Sequence, residues 1–398
     1  MVTGIVALNS VDRNMLALVL PQLKAELGLS DATLGVLAGP AFMLVYALAG
    51  IPVAWVADRW SRTRIIMLGL AFWSTVTAAT GLAATALELA AARIALGLGE
   101  ATTMAPASAL IADRFPARTR AAAFSLFTCG APLGILLGFP LVGWMSATHG
   151  WRGAFFLMGG LGWVLAVIMQ LRVREPTRTM RTVGTSEPLA LKDGIVLALR
   201  SPAFLVLVLG GTLLSVSYGV MTAWSPTFLL RVHGLGARAA GGYLGIYRGL
   251  FGIAASLSGG FLVTALNRFD ARWLAWMPGA LCLLAGPAEL VFLFAPDAHG
   301  WQSGLGADTL LVSAAIPCTF ALLLALVDER MRALGVALYL LIFHLVGQSL
   351  GPPVVGLLNE RLAPQLGAAA IRYSMLSAPL GMVLAGGAFL VLGRYLRR

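Results

Sequence analysis

The sequence predicts an all-α membrane protein of twelve transmembrane helices in two six-helix bundles, and three observations carry that expectation. Of 398 residues, 59% are hydrophobic and only 11% charged, against roughly 25% charged in soluble chains. Apolar runs recur at the length of about 20 residues that a helix needs to cross a bilayer. Basic residues gather in alternate loops. A chain this apolar has lipid as its solvent.

Taken in order, the apolar runs place spans near 1–22, 33–57, 64–85, 87–111, 120–146, 152–171, 203–230, 239–265, 273–295, 304–327, 333–358 and 370–393. Short polar turns join them. The longest non-apolar stretch, 172–201, divides the chain into a first bundle over 1–172, a cytoplasmic linker over 173–201 and a second bundle over 202–398. No basic stretch or cleavage site precedes the first span, which argues against a signal peptide.

Charge placement orients the spans. Loops after even-numbered spans, with the C-terminus, hold 19 of the 28 Lys and Arg. Loops after odd-numbered spans hold six, Lys24 and Arg231 among them, and the acids divide nearly evenly. The whole net charge of +11 therefore falls on one face, which places both termini in the cytoplasm. That distribution removes the case for nucleic acid as a partner. The abundance of Ala and the excess of Arg over Lys suggest a GC-rich bacterial source, hence an inner membrane. Cys129, Cys282 and Cys318 lie in apolar runs without metal-ligand spacing, so neither a metal, a cofactor nor a disulfide framework is expected.

The halves also repeat. The basic turn Asp58–Arg64 has a counterpart in Asn267–Arg272 at an offset of 208, and Arg120 with Pro140 is matched by Arg332 with Pro352 at 212. Two halves of like topology are what such offsets imply.

Those turns carry a resemblance to the major facilitator superfamily. Its Gly-x-x-x-Asp-Arg-x-Gly-Arg signature appears as Ala54-Trp55-Val56-Ala57-Asp58-Arg59-Trp60-Ser61-Arg62, with both glycines replaced. Its Arg-x-x-x-Gly-x-Gly pattern appears as Arg93 through Gly99, followed by Asp113-Arg114-Phe115-Pro116, and Gly130 through Gly134 partly matches the antiporter motif of span five. Leu8 through Arg13, Gly39 through Phe42, Tyr46 through Pro52, Gly99-Glu100-Ala101 and Gly150 through Phe155 resemble the Spinster branch. The resemblance implies a monomeric secondary transporter rather than an enzyme. Its expected substrate is an amphiphilic or lysolipid-like molecule, exported by alternating access and suspected to be coupled to protons. Small organic anions or drugs are the alternative cargo, and a non-transporting receptor is a further one.

An ionisable side chain at mid-bilayer costs about 2.5–3.5 kcal/mol on insertion scales, so it reads as functional by default. Asp12, Arg13, Arg93 and Glu100 form the proton-coupling candidates. Arg93 and Glu100 lie seven residues apart, on one helix face about 10 Å from each other, so a third group must stand between them, and Asp12 is the candidate. Arg13, Phe42, Tyr46, Trp224, Arg248 and Phe343 are candidates for substrate contact, though aromatic side chains at helical spacing also read as packing. Asp58, Arg59, Arg62, Asp113 and Arg114, at cytoplasmic helix ends, read as a gating latch. Glu289, after Pro287 near the outer end of span nine, and His344 read as structural. Trp144, Trp151, Trp273 and Trp301 near span ends read as interfacial anchors.

Overall fold

The computed structural model describes residues 1–57, 59–172, 195, 197, 199–327 and 332–396. Asp58 and most of the linker lie outside the described residues. Among those described there is no strand.

The first half runs through α1 (Val2–Leu27), α2 (Asp31–Ala38), α3 (Pro40–Ala57), α4 (Arg62–Thr80), α5 (Ala86–Arg114), α6 (Ala117–Thr128) and α7 (Gly130–Arg172). The second holds α8 (Pro202–His233), α9 (Ala237–Ile246), α10 (Gly252–Asn267), α11 (Trp273–Phe294) and α12 (Ala298–Leu326). It ends with α13 (Arg332–Ile342), α14 (Ser349–Leu366), α15 (Ala370–Ser374) and α16 (Ser377–Leu392). π-helical turns at Tyr247–Phe251 and Phe343–Gln348 connect α9 to α10 and α13 to α14.

Eight helical stretches among the described residues are long and apolar enough to cross a membrane. Two of these, Ala123–Arg172 and Leu334–Leu392, are about twice a span in length. The first breaks at Gly150, whose φ of 72° lies in the left-handed region that glycine adopts freely. Helices α1 and α4 fall outside the eight because Asn9, Asp12, Arg13 and Asn14 dilute one and Arg62 and Arg64 open the other. Dividing the two long stretches and adding these helices gives the twelve expected spans.

Polar side chains start the helices where the chain turns. Ser30 caps α2 through the Thr33 amide and Ser61 caps α4 through that of Arg64. The Thr85 hydroxyl accepts from the Glu88 amide, while the Glu88 carboxylate accepts from the Ala84 amide at 2.6 Å. That reciprocal arrangement satisfies one donor of the first turn of α5 and one just ahead of its cap.

The chain divides into two compact units. The first gathers described residues of 1–181, 222–250 and 356–369; the second gathers those of 182–221, 251–355 and 370–398. In the first unit α7 lies directly on α1. A Cβ on Gly134 would fall 2.1 Å from the Ala7 carbonyl oxygen, and one on Gly130 2.5 Å from that of Thr3. Small residues one turn apart let the two backbones touch, which is how helices associate where lipid supplies no hydrophobic drive. The second unit packs Leu207, Cys282, Leu322, Tyr339, Met382 and Phe389 into a shared apolar core.

Two of the four tryptophans read as interfacial anchors are buried. Trp151 and Trp301 are each 2% exposed, whereas Trp144 is 41% exposed. The Trp151 indole N–H donates to Glu26 Oε2 at 2.7 Å, so a protein carboxylate takes the place of headgroup or water.

Candidate functional site

Helices α1 and α5 of the first unit carry the charged residues that sit deepest in apolar sequence. Asp12, Arg93 and Glu100 are 1%, 2% and 0% exposed. The glycines of the Arg93–Gly99 pattern explain how α5 comes so close to its neighbours: a Cβ on Gly97 would fall 2.7 Å from the Phe42 carbonyl oxygen on α3, and one on Gly99 2.8 Å from Trp73 on α4.

Arg13 is the hub. Its Nε and Nη2 both donate to Glu100 Oε2 at 3.3 Å, and Nη2 also donates to Asn9 Oδ1 one turn back on α1. The group between Arg93 and Glu100 is thus Arg13 and not Asp12. Arg93 bonds to backbone instead, donating from Nε to the Leu37 carbonyl at 3.1 Å and from Nη2 to that of Arg13 at 3.3 Å. Asp12 turns away, where its Oδ2 accepts from the Thr77 hydroxyl on α4 at 3.4 Å. Adjacent residues on a helix point about 100° apart, which is why Asp12 and Arg13 cannot serve the same partner.

The cluster has unspent valence. Asp12 Oδ1, Glu100 Oε1, Arg93 Nη1 and Asn9 Nδ2 are buried without a hydrogen-bond partner. Buried polar groups are normally satisfied, and leaving one open costs roughly 1–3 kcal/mol. Four such atoms gather in this cluster. Protonation of Glu100 would weaken its hold on Arg13; a proton on Asp12 Oδ1 would supply the donor that oxygen lacks.

Aromatic faces complete the surroundings. The Arg13 guanidinium lies 4.3 Å from the Tyr46 centroid and 5.2 Å from that of Phe42, and Arg93 lies 4.8 Å from Phe42. Phe42 and Tyr46 stack at 5.6 Å. A cation over a ring face keeps part of the electrostatic compensation it loses on leaving water. The two rings expected to meet substrate therefore meet arginines. Phe42 and Trp224 are 0% exposed, so in this state neither lines an open cavity.

The remaining candidates lie on other elements. Arg248, in the first π-helical turn, donates from Nη2 to Ser225 Oγ at 2.9 Å. Phe343 opens the second π-helical turn and belongs to the second unit. There Ser215 donates to the Phe343 carbonyl at 2.6 Å and Ser349 to that of His344 at 3.2 Å, satisfying acceptors that the wider turn leaves out of the regular ladder. At the basic turn, Arg62 pairs with Asp113, linking the start of α4 to the end of α5. Arg59 stays exposed on α3's own Trp55, with its guanidinium 3.8 Å from the ring, and Arg114 is exposed as well.

A second charged hub in the first unit was not singled out from sequence. Asp31, the first residue of α2 and 1% exposed, takes a two-pronged bond from Arg231 with both N–O distances 2.7 Å. Lys24 Nζ donates to it at 2.7 Å and Asn359 Nδ2 donates to Oδ2. Beside it the Ala32 amide donates to Glu360 Oε1 at 2.8 Å. Residues from the start, middle and end of the chain meet on one carboxylate, in the forked geometry that makes arginine–carboxylate pairs strong. Only the isolated acid at the head of a span hinted at it.

Comparison with known proteins agrees with this architecture. The Major Facilitator Superfamily profile matches residues 2–352. An MFS-type efflux pump of Mycolicibacterium smegmatis is 32% identical over 386 residues, covering 95% of this chain and 88% of that protein. Human protein spinster homolog 1 is 27% identical, covering 96% and 78%. Among solved structures, a bacterial homolog of the human lysosomal transporter Spinster, inward-facing and unoccupied, superposes with a TM-score of 0.87 at 27% identity, covering 99% of this chain and 96% of that one.

Proposed function

Because the chain belongs to the Major Facilitator Superfamily and is Spinster-like within it, we propose that this membrane transporter is a proton-coupled exporter of amphiphilic, lipid-like organic molecules. The observation that carries the coupling is the α1–α5 cluster. Two carboxyl groups, Asp12 and Glu100, are buried in membrane-spanning helices, each with one oxygen unbonded and with arginines at hand. Such a group changes charge with its surroundings and can exchange a proton as those surroundings open and close.

Alternating access follows as the way of working. On the charge distribution, Lys24, Asp31 and Arg231 lie on the outer face, and their hub ties the loop after α1 to α8 and α14. Opening that face requires the three bonds that Arg231 and Asn359 make to the Asp31 carboxylate to break, and the proton-coupled step supplies the bias. Asp58, Arg59, Arg62, Asp113 and Arg114 are the corresponding cytoplasmic latch. Two six-helix bundles over 1–172 and 202–398 rock about the site, in a monomer with both termini in the bacterial cytoplasm. The Spinster resemblance favours lipid-like cargo, and kinship with an efflux pump favours export.

The test is flux from proteoliposomes holding the purified transporter. A fluorescent lysophospholipid should leave the protein-containing vesicles down a proton gradient, while a sugar-acid anion should not. Movement of the anion without the lysolipid would replace this reading with a small-anion carrier in which Arg13 and Arg248 bind the cargo.

A further inference from the structure

Helix α2 is eight residues long, about 12 Å at the usual helical rise, and the first unit grips it at both ends. At its start, Arg231 on α8 and Asn359 on α14 hold the Asp31 carboxylate, and Glu360 on α14 accepts from the Ala32 amide at 2.8 Å. Backbones meet there as well, since a Cβ on Gly356 would run into the Asp31 carbonyl oxygen. At its other end, Arg93 on α5 donates from Nε to the Leu37 carbonyl at 3.1 Å. Leu37 lies in the last turn, where helical carbonyls lack an amide partner within their own helix.

Between these grips α2 moves as one body, and it is not continuous with α3. Gly39 leaves helical geometry, and Pro40 brings no N–H to the joint. Leu34 and Leu37 are buried, while Val36 is 45% exposed. The same Arg93 donates from Nη2 to the Arg13 carbonyl, and the Arg13 side chain is bonded to Glu100. One guanidinium on α5 thus joins the end of α2 to the stretch of α1 that carries the charged pair. Both contacts are to backbone, so they fix where helices lie relative to one another.

We propose that Arg93 is a positioning residue and α2 a strut, which together carry a shift in the α1–α5 cluster to the Asp31 hub. A movement of α1 or α5 that accompanies a change at Glu100 displaces Leu37 through Arg93. The short helix passes that displacement to Asp31, whose two-pronged bond with Arg231 depends on alignment. The inference rests on reading the hub as the outer latch and the cluster as the coupling site, while the link itself requires neither protons nor cargo.

Hydrogen–deuterium exchange of the protein in nanodiscs, read by mass spectrometry, tests the link without transport. Arg93→Gln is too short to hold both carbonyls and should raise exchange on the order of fivefold over residues 357–364 of α14, at the opposite end of the strut. Val36→Pro breaks α2 at an exposed position and should cancel that effect, whereas Val36→Ala should preserve it. Val36→Gly serves in place of the proline if that variant does not fold. No rise over 357–364 in Arg93→Gln, or a rise that persists once α2 is broken, would overturn the proposal. If Arg93→Gln fails to fold, Asp31→Asn runs the test in reverse, because coupling is reciprocal. Exchange around Arg93 on α5 should then rise only while α2 is whole. An intact link without proton-driven flux would support the strut and strike the coupling reading alone.

Discussion

The α1–α5 cluster, with Asp12 and Glu100, and helices α11 and α12, with Glu289 and Asp308, each bury two carboxyl side chains in helices that face lipid elsewhere, and they hold them by different means. In the first, Arg13 lies against Glu100 and Arg93 stands by, bonded to backbone carbonyls. Four polar atoms there are left open. In the second, the Ser217 hydroxyl donates to Glu289 Oε1. A base beside an acid leaves charge in place and lets a proton come and go as the pair tightens or parts. The first arrangement suits exchange.

The largest expected difference comes from deleting the partner. Arg13→Ala leaves Glu100 buried without its ion pair and should cost about 3–5 kcal/mol. Glu289→Gln keeps an acceptor for the Ser217 hydroxyl and should cost only about 0.5–1.5 kcal/mol. Thermal unfolding of both variants in detergent measures the contrast, and equal losses would erase the distinction drawn between the two regions.

Removing the hydroxyls sharpens the comparison at smaller scale. Ser217→Ala takes away a 2.7 Å bond to Glu289, and Thr77→Val takes away a 3.4 Å bond to Asp12. The first should cost about 1 kcal/mol and the second less, since the longer bond is near the limit of the interaction. The same unfolding assay reads both, and a larger effect at Thr77 would show Asp12 more firmly held than its geometry implies.

The smallest effect is at the exposed end of α1, beyond its apolar run. Glu26 accepts hydrogen bonds from the Trp151 indole and the Arg152 guanidinium, which together hold its carboxyl below the usual glutamate range. A depressed value means a stabilising contribution that is complete above the unfolded glutamate value and fades as pH falls through the folded one. Acid titration of unfolding should therefore show a slight loss in the native chain that Glu26→Gln lacks. Exposure keeps it slight.

How much of this was legible in sequence depends on where each residue sits. Asp12, Arg13, Arg93 and Glu100 stand out because a charge in the middle of an apolar run has no ordinary explanation. Their pairing did not: which of two adjacent residues on α1 faces α5 depends on a helix rotation that packing with α7 sets. Asp31 escaped because a charge at a span end is unremarkable, and its partners Arg231 and Asn359 lie 200 and 328 residues away. Asp308 is likewise hidden near a span end. Helix joints were obscured for a different reason. The unbroken apolar run over 33–57 hides the break at Gly39, where φ is −108° and ψ is −97°, because lipid-facing composition is the same on both sides of a joint.

The central claim is that Asp12 and Glu100 couple a proton to substrate movement, and one measurement tests it most directly. Purified protein in liposomes, loaded with a pH-sensitive dye, would be given a lysophospholipid, with the native chain compared against Asp12→Asn and Glu100→Gln. The account predicts substrate-driven proton movement in the native chain, and its loss in both variants while lysolipid binding persists. Undiminished proton movement in either variant would contradict it and leave that carboxyl a structural part of the α1–α5 contact.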